Sequence, residues 1–149
     1  MEEAKAQIAW GLAHCDLLKL ADNELTFLTD QTDFDQGAAM LLARYPNIKL
    51  LCVTAGAEGS HAYCGGLHVF QPALHLGGVV DTTGAGDTFW ACVLHFLLDR
   101  GPDDLNEACM AKSALTQMLR FANAGAYLVT TKKGALRSMP GPDQIQKLL

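Results

Sequence analysis

The chain has 149 residues, half of them apolar, and a formal charge of −5; that is enough for one sizeable core and too short for two full domains. Its acidic and basic residues are scattered, which excludes the clustered Lys/Arg face of a nucleic-acid or anionic-membrane binder and leaves a small molecule as the expected partner. No apolar run reaches the ~18 residues of a membrane span, and Met1-Glu2-Glu3-Ala4-Lys5 lacks the basic-then-apolar plan of a secretion signal, so a cytoplasmic location is expected. The five cysteines (Cys15, Cys52, Cys64, Cys92 and Cys109) are odd in number and far apart, and read as reduced thiols rather than a disulfide or metal framework.

Residues 2–13 carry Ala6, Ile8, Ala9, Leu12 and Ala13 on one side and charges on the other, which predicts an amphipathic helix. The run from Cys15 to Leu20 predicts a buried strand. A second helix is expected after Asp22, and a third from Phe34 to Tyr45, stopped by Pro46. Lys49 to Thr54 is a second buried strand. Gly59 to Gln71 predicts a hairpin about Gly65-Gly66 carrying Tyr63, Val69 and Phe70. Ala85 to Leu98 predicts an apolar helix broken at Gly101-Pro102. A long Ala/Leu/Met helix follows from Leu105 to Ala122 or beyond, then a Gly/Pro/Ser loop from Thr130 to Pro142 and a short terminal helix. Helices alternating with buried strands define an α/β layered sheet, in which ligands gather at the carboxyl ends of the strands.

The chemistry concentrates in Val80-Asp81-Thr82-Thr83-Gly84-Ala85-Gly86-Asp87-Thr88-Phe89. Two glycines open an apolar helix, so backbone N–H groups can converge on an anion at the positive end of the helix dipole. Asp87 stands in the first turn, where a carboxylate can accept the proton of an attacking hydroxyl. On spacing alone the same residues also fit an ordinary helix start. No Gly-Lys-Ser/Thr follows as in a P-loop, and Phe89 occupies the third-glycine place of a dinucleotide fingerprint, so neither motif applies.

The nine residues from Asp81 to Phe89 resemble the C-terminal signature of the ribokinase-like (PfkB-type) carbohydrate kinases. The resemblance implies a ribokinase-like, Rossmann-like fold, with Asp87 as catalytic base and the backbone of Gly84, Ala85 and Gly86 as the anion hole. It extends along the chain. The segment from Lys19 to Leu28 resembles the family's Asn-x-x-Glu region near magnesium and phosphates; Glu24 matches the Glu, whereas Ala21 stands in place of the Asn, as often in the fructokinase-like branch. The segment from Val53 to Ser60 resembles the family's strand-end turn, which implies nucleotide contacts at Thr54, Gly56 and Gly59. Ala122 to Ala126, then Thr130 and Gly134-Ala135, resemble the adenine-proximal helix and loop, with Asn123 as a polar contact and Gly134 beside it. Asp81 and Thr83, with Ser138, match positions that hold a monovalent cation in some members.

The resemblance implies ATP and Mg2+, with K+ as a further cation, and a sugar substrate, fructose above others. Family members are roughly twice this length, and the half that carries their sugar-binding acids and lid strands has no counterpart here. The chain is therefore expected to be the C-terminal, nucleotide-binding half of a kinase domain, pairing with a missing N-terminal half or forming a homodimer, with an exposed sheet edge available for pairing. Two other outcomes are a nucleotide- or partner-binding module without turnover and a nucleoside or sugar-phosphate kinase. His14, His61, His68, His75 and His95 show no helical i, i+4 pair and read as non-ligating, His95 as a core residue. Trp10, Trp90, Phe89 and Phe96 read as core or domain-contact residues, and Met110 and Met118 as packing residues.

Overall fold

The computed structural model describes residues 2–101 and 110–149. The strands β1 (Leu17–Ala21), β2 (Leu50–Thr54), β3 (Gly59–Cys64) and β4 (Leu67–Pro72) form one sheet in the order β1-β2-β3-β4. β1 and β2 run parallel, and the other two pairs are antiparallel. The helices are α1 (Glu2–Leu12), α2 (Asp22–Thr29), α3 (Phe34–Arg44), α4 (Ala85–Arg100), α5 (Lys112–Thr130) and α6 (Pro142–Gln146), with a 3-10 turn at Leu136–Ser138.

The unbroken apolar run of β2 reflects burial on both faces. Leu50 and Cys52 face the core under α4 and α5, with Ala62, Cys64 and Val69. Leu51 and Val53 face the core under α2 and α3, with Leu20 and Tyr63. Leu50, Leu51 and Val53 are essentially inaccessible, and each such side chain contributes roughly 1.5–3 kcal/mol of transfer free energy. A one-residue slip of β2 would exchange two apolar sets, so its register rests on the fit of each set in its own core rather than on polarity.

α3 starts where Asp33 Oδ1 accepts the Gln36 N–H at 2.8 Å, an N-cap bond. The hairpin turns at Gly65 and Gly66, both with positive φ (55° and 79°), as a two-residue hairpin turn requires. Asp22 proves to be the first helical residue of α2; the cap position is Ala21, which has no side-chain oxygen to offer. The long helix begins at Lys112 among the described residues, so the expectation for 105–109, and Cys109 with it, lies outside them. Cys52, Cys64 and Cys92 are buried free thiols and Cys15 is half-buried.

Three apolar expectations are corrected. α1 forms, with Leu12 buried and Ala6 and Ala9 on a cavity that faces α2 and α3, but Ile8 is 38% and Trp10 67% exposed. Trp10 thus has no place in the core. His95 is exposed on α4 rather than buried, tilted against Phe121, since it points away from the core side of the helix that Val93 and Leu97 occupy. Phe89, Met110 and Met118 are core residues as expected, with Trp90 and Phe96 packed at the margin.

α4 and α5 approach closely at Gly125. A Cβ there would fall inside contact distance of Cys92 Sγ and lie 3.1 Å from Ile145 Cδ1 and 3.6 Å from Thr88 Cγ2. The packing that fixes this helix pair therefore sits one residue from Asp87.

Candidate active site

The turn before α4 is held by the chain that follows α5. Asp81 Oδ1 accepts the Thr83 N–H at 2.9 Å and Oδ2 accepts the Gly134 N–H at 3.0 Å. The Val80 and Asp81 N–H groups donate to Thr130 O at 2.8 and 3.1 Å. The Thr83 hydrogen bonds, then the Gly134 N–H and nearby Lys133, hold the Asp81 carboxyl down at about 2. Asp81 thus ties the signature turn to the 133–135 loop.

Gly84 caps α4 in the left-handed region (φ 82°), and a Cβ there would lie 2.9 Å from Ala135 Cβ. Any side chain at Gly84 is disfavoured by both conformation and space. Ala85 N–H already donates to Thr82 O at 3.2 Å, so it is not open to an incoming anion as its place in the signature suggested. The Gly86 and Asp87 N–H groups have no acceptor among the described residues. Orphan N–H groups in the first turn of a 16-residue helix make a ready anion site. The Asp87 carboxylate is exposed beside them. Thr88 Oγ1, one residue on, is buried with no hydrogen-bond partner among the described residues.

Sequence reasoning passed over Lys19. It is on β1, and its Nζ lies 3.2 Å from where a Cβ on Gly86 would stand. A cation at the positive end of a helix is electrostatically unfavourable in the absence of an anion between them. The signal available in sequence was one lysine inside the otherwise apolar strand Leu17–Ala21.

A cavity of about 300 Å³ lies between the Gly56 turn, the loop after β4, the start of α4 and one side of α5. Gly56, Thr82, Ala85, Asn123 and Thr130 line it with Leu74, His75, Val79 and Tyr127; these last four were not anticipated. Tyr127 OH donates to Gly77 O at 2.9 Å and steadies the loop at the rim. A larger cavity of about 640 Å³, lined by His95, Asp99, Arg120 and Asp143 among others, lies along the far half of α4 and contains no signature residue.

Of the remaining expected contacts, Thr54 ends β2 and its Oγ1 makes only a long 3.4 Å bond to Leu20 O. Gly56 has φ 52° and open space where a side chain would be, which permits close ligand approach. Gly59 is constrained by the hairpin instead: a Cβ there would collide with Gln71 O and lie 2.8 Å from Pro72 Cα. Asn123 reaches the cavity, yet Nδ2 donates to Gln71 O and Pro72 O, both at 3.1 Å, and Oδ1 accepts Ser60 Oγ–H at 2.8 Å. Both amide hydrogens are committed to pinning α5 to the hairpin, leaving one acceptor lone pair for a ligand. Ser138 Oγ donates to Lys133 O at 3.0 Å and braces the Gly134 loop.

Glu24 Oε2 accepts the Ala21 N–H at 2.6 Å, and the residue is exposed at the carboxyl end of β1. No group of three or more His, Cys, Asp or Glu side chains that could hold a metal occurs among the described residues.

An α/β sheet whose strand ends meet an open helix N-terminus, a first-turn carboxylate and a cavity has the layout of a phosphoryl-transfer site. The chain belongs to the pfkB family of carbohydrate kinases, whose sequence pattern matches residues 1–142. It is 39% identical to probable fructokinase-2 of Arabidopsis thaliana over 93% of this chain and 40% of that protein. The crystal structure of a Vibrio cholerae fructokinase with fructose, ADP and calcium superposes with a TM-score of 0.83 at 26% identity, over 99% of this chain and 45% of that one. Arabidopsis thaliana ribokinase with ribose and ATP superposes with a TM-score of 0.71 at 30% identity, over 92% and 41%. The chain thus spans less than half the length of these relatives.

Proposed function

We propose that this chain forms the nucleotide-binding and catalytic-base part of an ATP-dependent sugar kinase acting on fructose. The observation that carries the proposal is the convergence of Gly56, Thr82, Ala85 and Asn123 on one cavity beside the open N–H groups of α4. ATP would lie along the strand ends with its base in that cavity and its terminal phosphate towards Gly86.

In this reading the Asp87 carboxylate takes the proton of the sugar hydroxyl as its oxygen bonds to the terminal phosphorus and the bond to ADP breaks. The Gly86 and Asp87 N–H groups, in the first turn of α4 after Gly84, stabilise charge on the transferred phosphoryl, and Lys19 adds a positive charge there. Glu24 would hold magnesium, which neutralises phosphate charge when bound. Asp81, Thr83 and the 134–138 loop would frame a monovalent cation, K+, beside the turn. A positioned base is worth about 10²–10⁴-fold in rate.

Exposed Ile8 and Trp10 on α1 and the open edge of β1 are surfaces for a sugar-binding half supplied by further chain, and a cytoplasmic setting accompanies that role. The second reading is a nucleotide-binding module without turnover. ATP-dependent phosphorylation is measured across sugars and nucleosides, with nucleotide affinity alongside. Fructose 6- or 1-phosphate that falls at least 100-fold in Asp87→Ala supports the kinase. Nucleotide affinity without product selects the module, and product from a nucleoside alone reassigns the substrate.

A further inference from the structure

The face of the β3–β4 hairpin turned towards α3 carries an arrangement that kinase chemistry does not use. In the β3–β4 register His61 faces Phe70 and Tyr63 faces His68, and strand alternation brings all four side chains to one face. His61 Nδ1 lies 2.9 Å from His68 Nε2. On the other side of its ring, His68 Nδ1 lies 3.2 Å from Asp35 Oδ1, which also accepts the Tyr63 hydroxyl at 2.8 Å. Phe34 packs edge-on to His61, Phe70 tilts against it, and Tyr63 stacks on His68 with ring centroids 4.5 Å apart.

We propose that His61 and His68 form a two-imidazole binding site for a borderline divalent metal ion such as Zn2+, oriented by Asp35.

Three features carry it. First, the carboxylate of Asp35 fixes the Nδ1–H tautomer of His68 and leaves the Nε2 lone pair facing His61, the carboxylate–histidine–metal arrangement that raises ligand basicity. Second, two nitrogens of a tetrahedral zinc site, each ~2.0–2.1 Å from the metal, stand roughly 3.3–3.4 Å apart. The observed separation is a few tenths of an ångström shorter, and the near-parallel rings, 9° apart in plane, must tilt for the two lone pairs to converge on the ion. Third, the ionisable groups around the pair are acidic or neutral: Asp33 and Asp35 at the start of α3, Glu58 in the turn before β3, and Tyr63.

Metal uptake replaces one hydrogen bond by two coordinate bonds. The bridging proton leaves His61 Nδ1 and its ring is reprotonated at Nε2, with no net change in protons. Water completes the coordination shell, because no third His, Cys, Asp or Glu joins the pair among the described residues.

Calorimetric titration of the full chain with ZnCl2 at pH 7.5 tests this. One equivalent is expected, with affinity at least tenfold weaker in His61→Asn and in His68→Asn and unchanged in His95→Asn. Asp35→Asn should weaken it by about tenfold, the low end for loss of a partner behind a ligand. Circular dichroism of the same samples checks folding; if His61→Asn unfolds, exposed His68→Asn decides. No stoichiometric uptake by the unmodified chain, or His68→Asn binding as tightly as it does, overturns the site.

Discussion

Gly125→Ala sets two opposed effects against each other. Inside α5, alanine is favoured over glycine by about 0.8–1.0 kcal/mol, so propensity alone predicts a more stable protein. The new Cβ, however, enters the space of Cys92 Sγ and comes within 3.1 Å of Ile145 Cδ1, in a core where Cys92 and Ile145 are buried. Overpacking of this kind typically costs about 1–3 kcal/mol, so a net loss of up to about 2 kcal/mol is expected in urea denaturation. Cys92→Ala removes the obstructing sulfur and alone costs about 0.5–1.5 kcal/mol, as for loss of one buried methyl-sized group. In the double variant the added methyl fills the vacated volume, so its loss should be smaller than the sum of the singles by about 1 kcal/mol or more. Stabilisation by Gly125→Ala alone, or strict additivity, would refute the close-packing argument.

Lys19→Met should weaken ATP binding by about 10–100-fold, the worth of a charge-assisted hydrogen bond of roughly 1.5–3 kcal/mol. It should leave the nucleotide-free protein as stable or more stable by about 0.3–1 kcal/mol, since a cation leaves the positive end of α4; unchanged affinity for ATP sinks the assignment. Asn123→Ala strands Ser60 and two hairpin carbonyls and should cost about 2–4 kcal/mol in urea denaturation, whereas a loss under about 1 kcal/mol would show that these bonds do not pin the hairpin. The Asp81 carboxyl is depressed to about 2, so its contribution is complete above the ordinary carboxylate range and disappears as pH falls through about 2. A carbon-13 titration of Asp81 should therefore show the tether to Gly134 intact at pH 3, and a midpoint near 4 would contradict it.

Local patterns were well expressed in the sequence. The double burial of β2 was visible as an unbroken apolar run, the hairpin as Gly65-Gly66, and the start of α4 as two glycines before an apolar stretch. What stayed hidden depends on pairing between distant segments. The donors of Asn123 are consumed by carbonyls fifty residues away, which no spacing rule reports. His61 and His68 fail a helical i, i+4 test because their proximity is diagonal across a hairpin. Lys19 looked like part of a strand until α4 was set against it. The exposure of Trp10 reflects the lack of a covering element among the described residues, which amphipathic periodicity cannot anticipate.

The bonds from Val80, Asp81 and Gly134, and the contact between Gly84 and Ala135, join two segments fifty residues apart into one plate. Neither can lift without the other. Amide exchange at Thr83 and Gly134 should therefore proceed as one opening event, at one rate, and a ligand that protects the first amide protects the second without touching it.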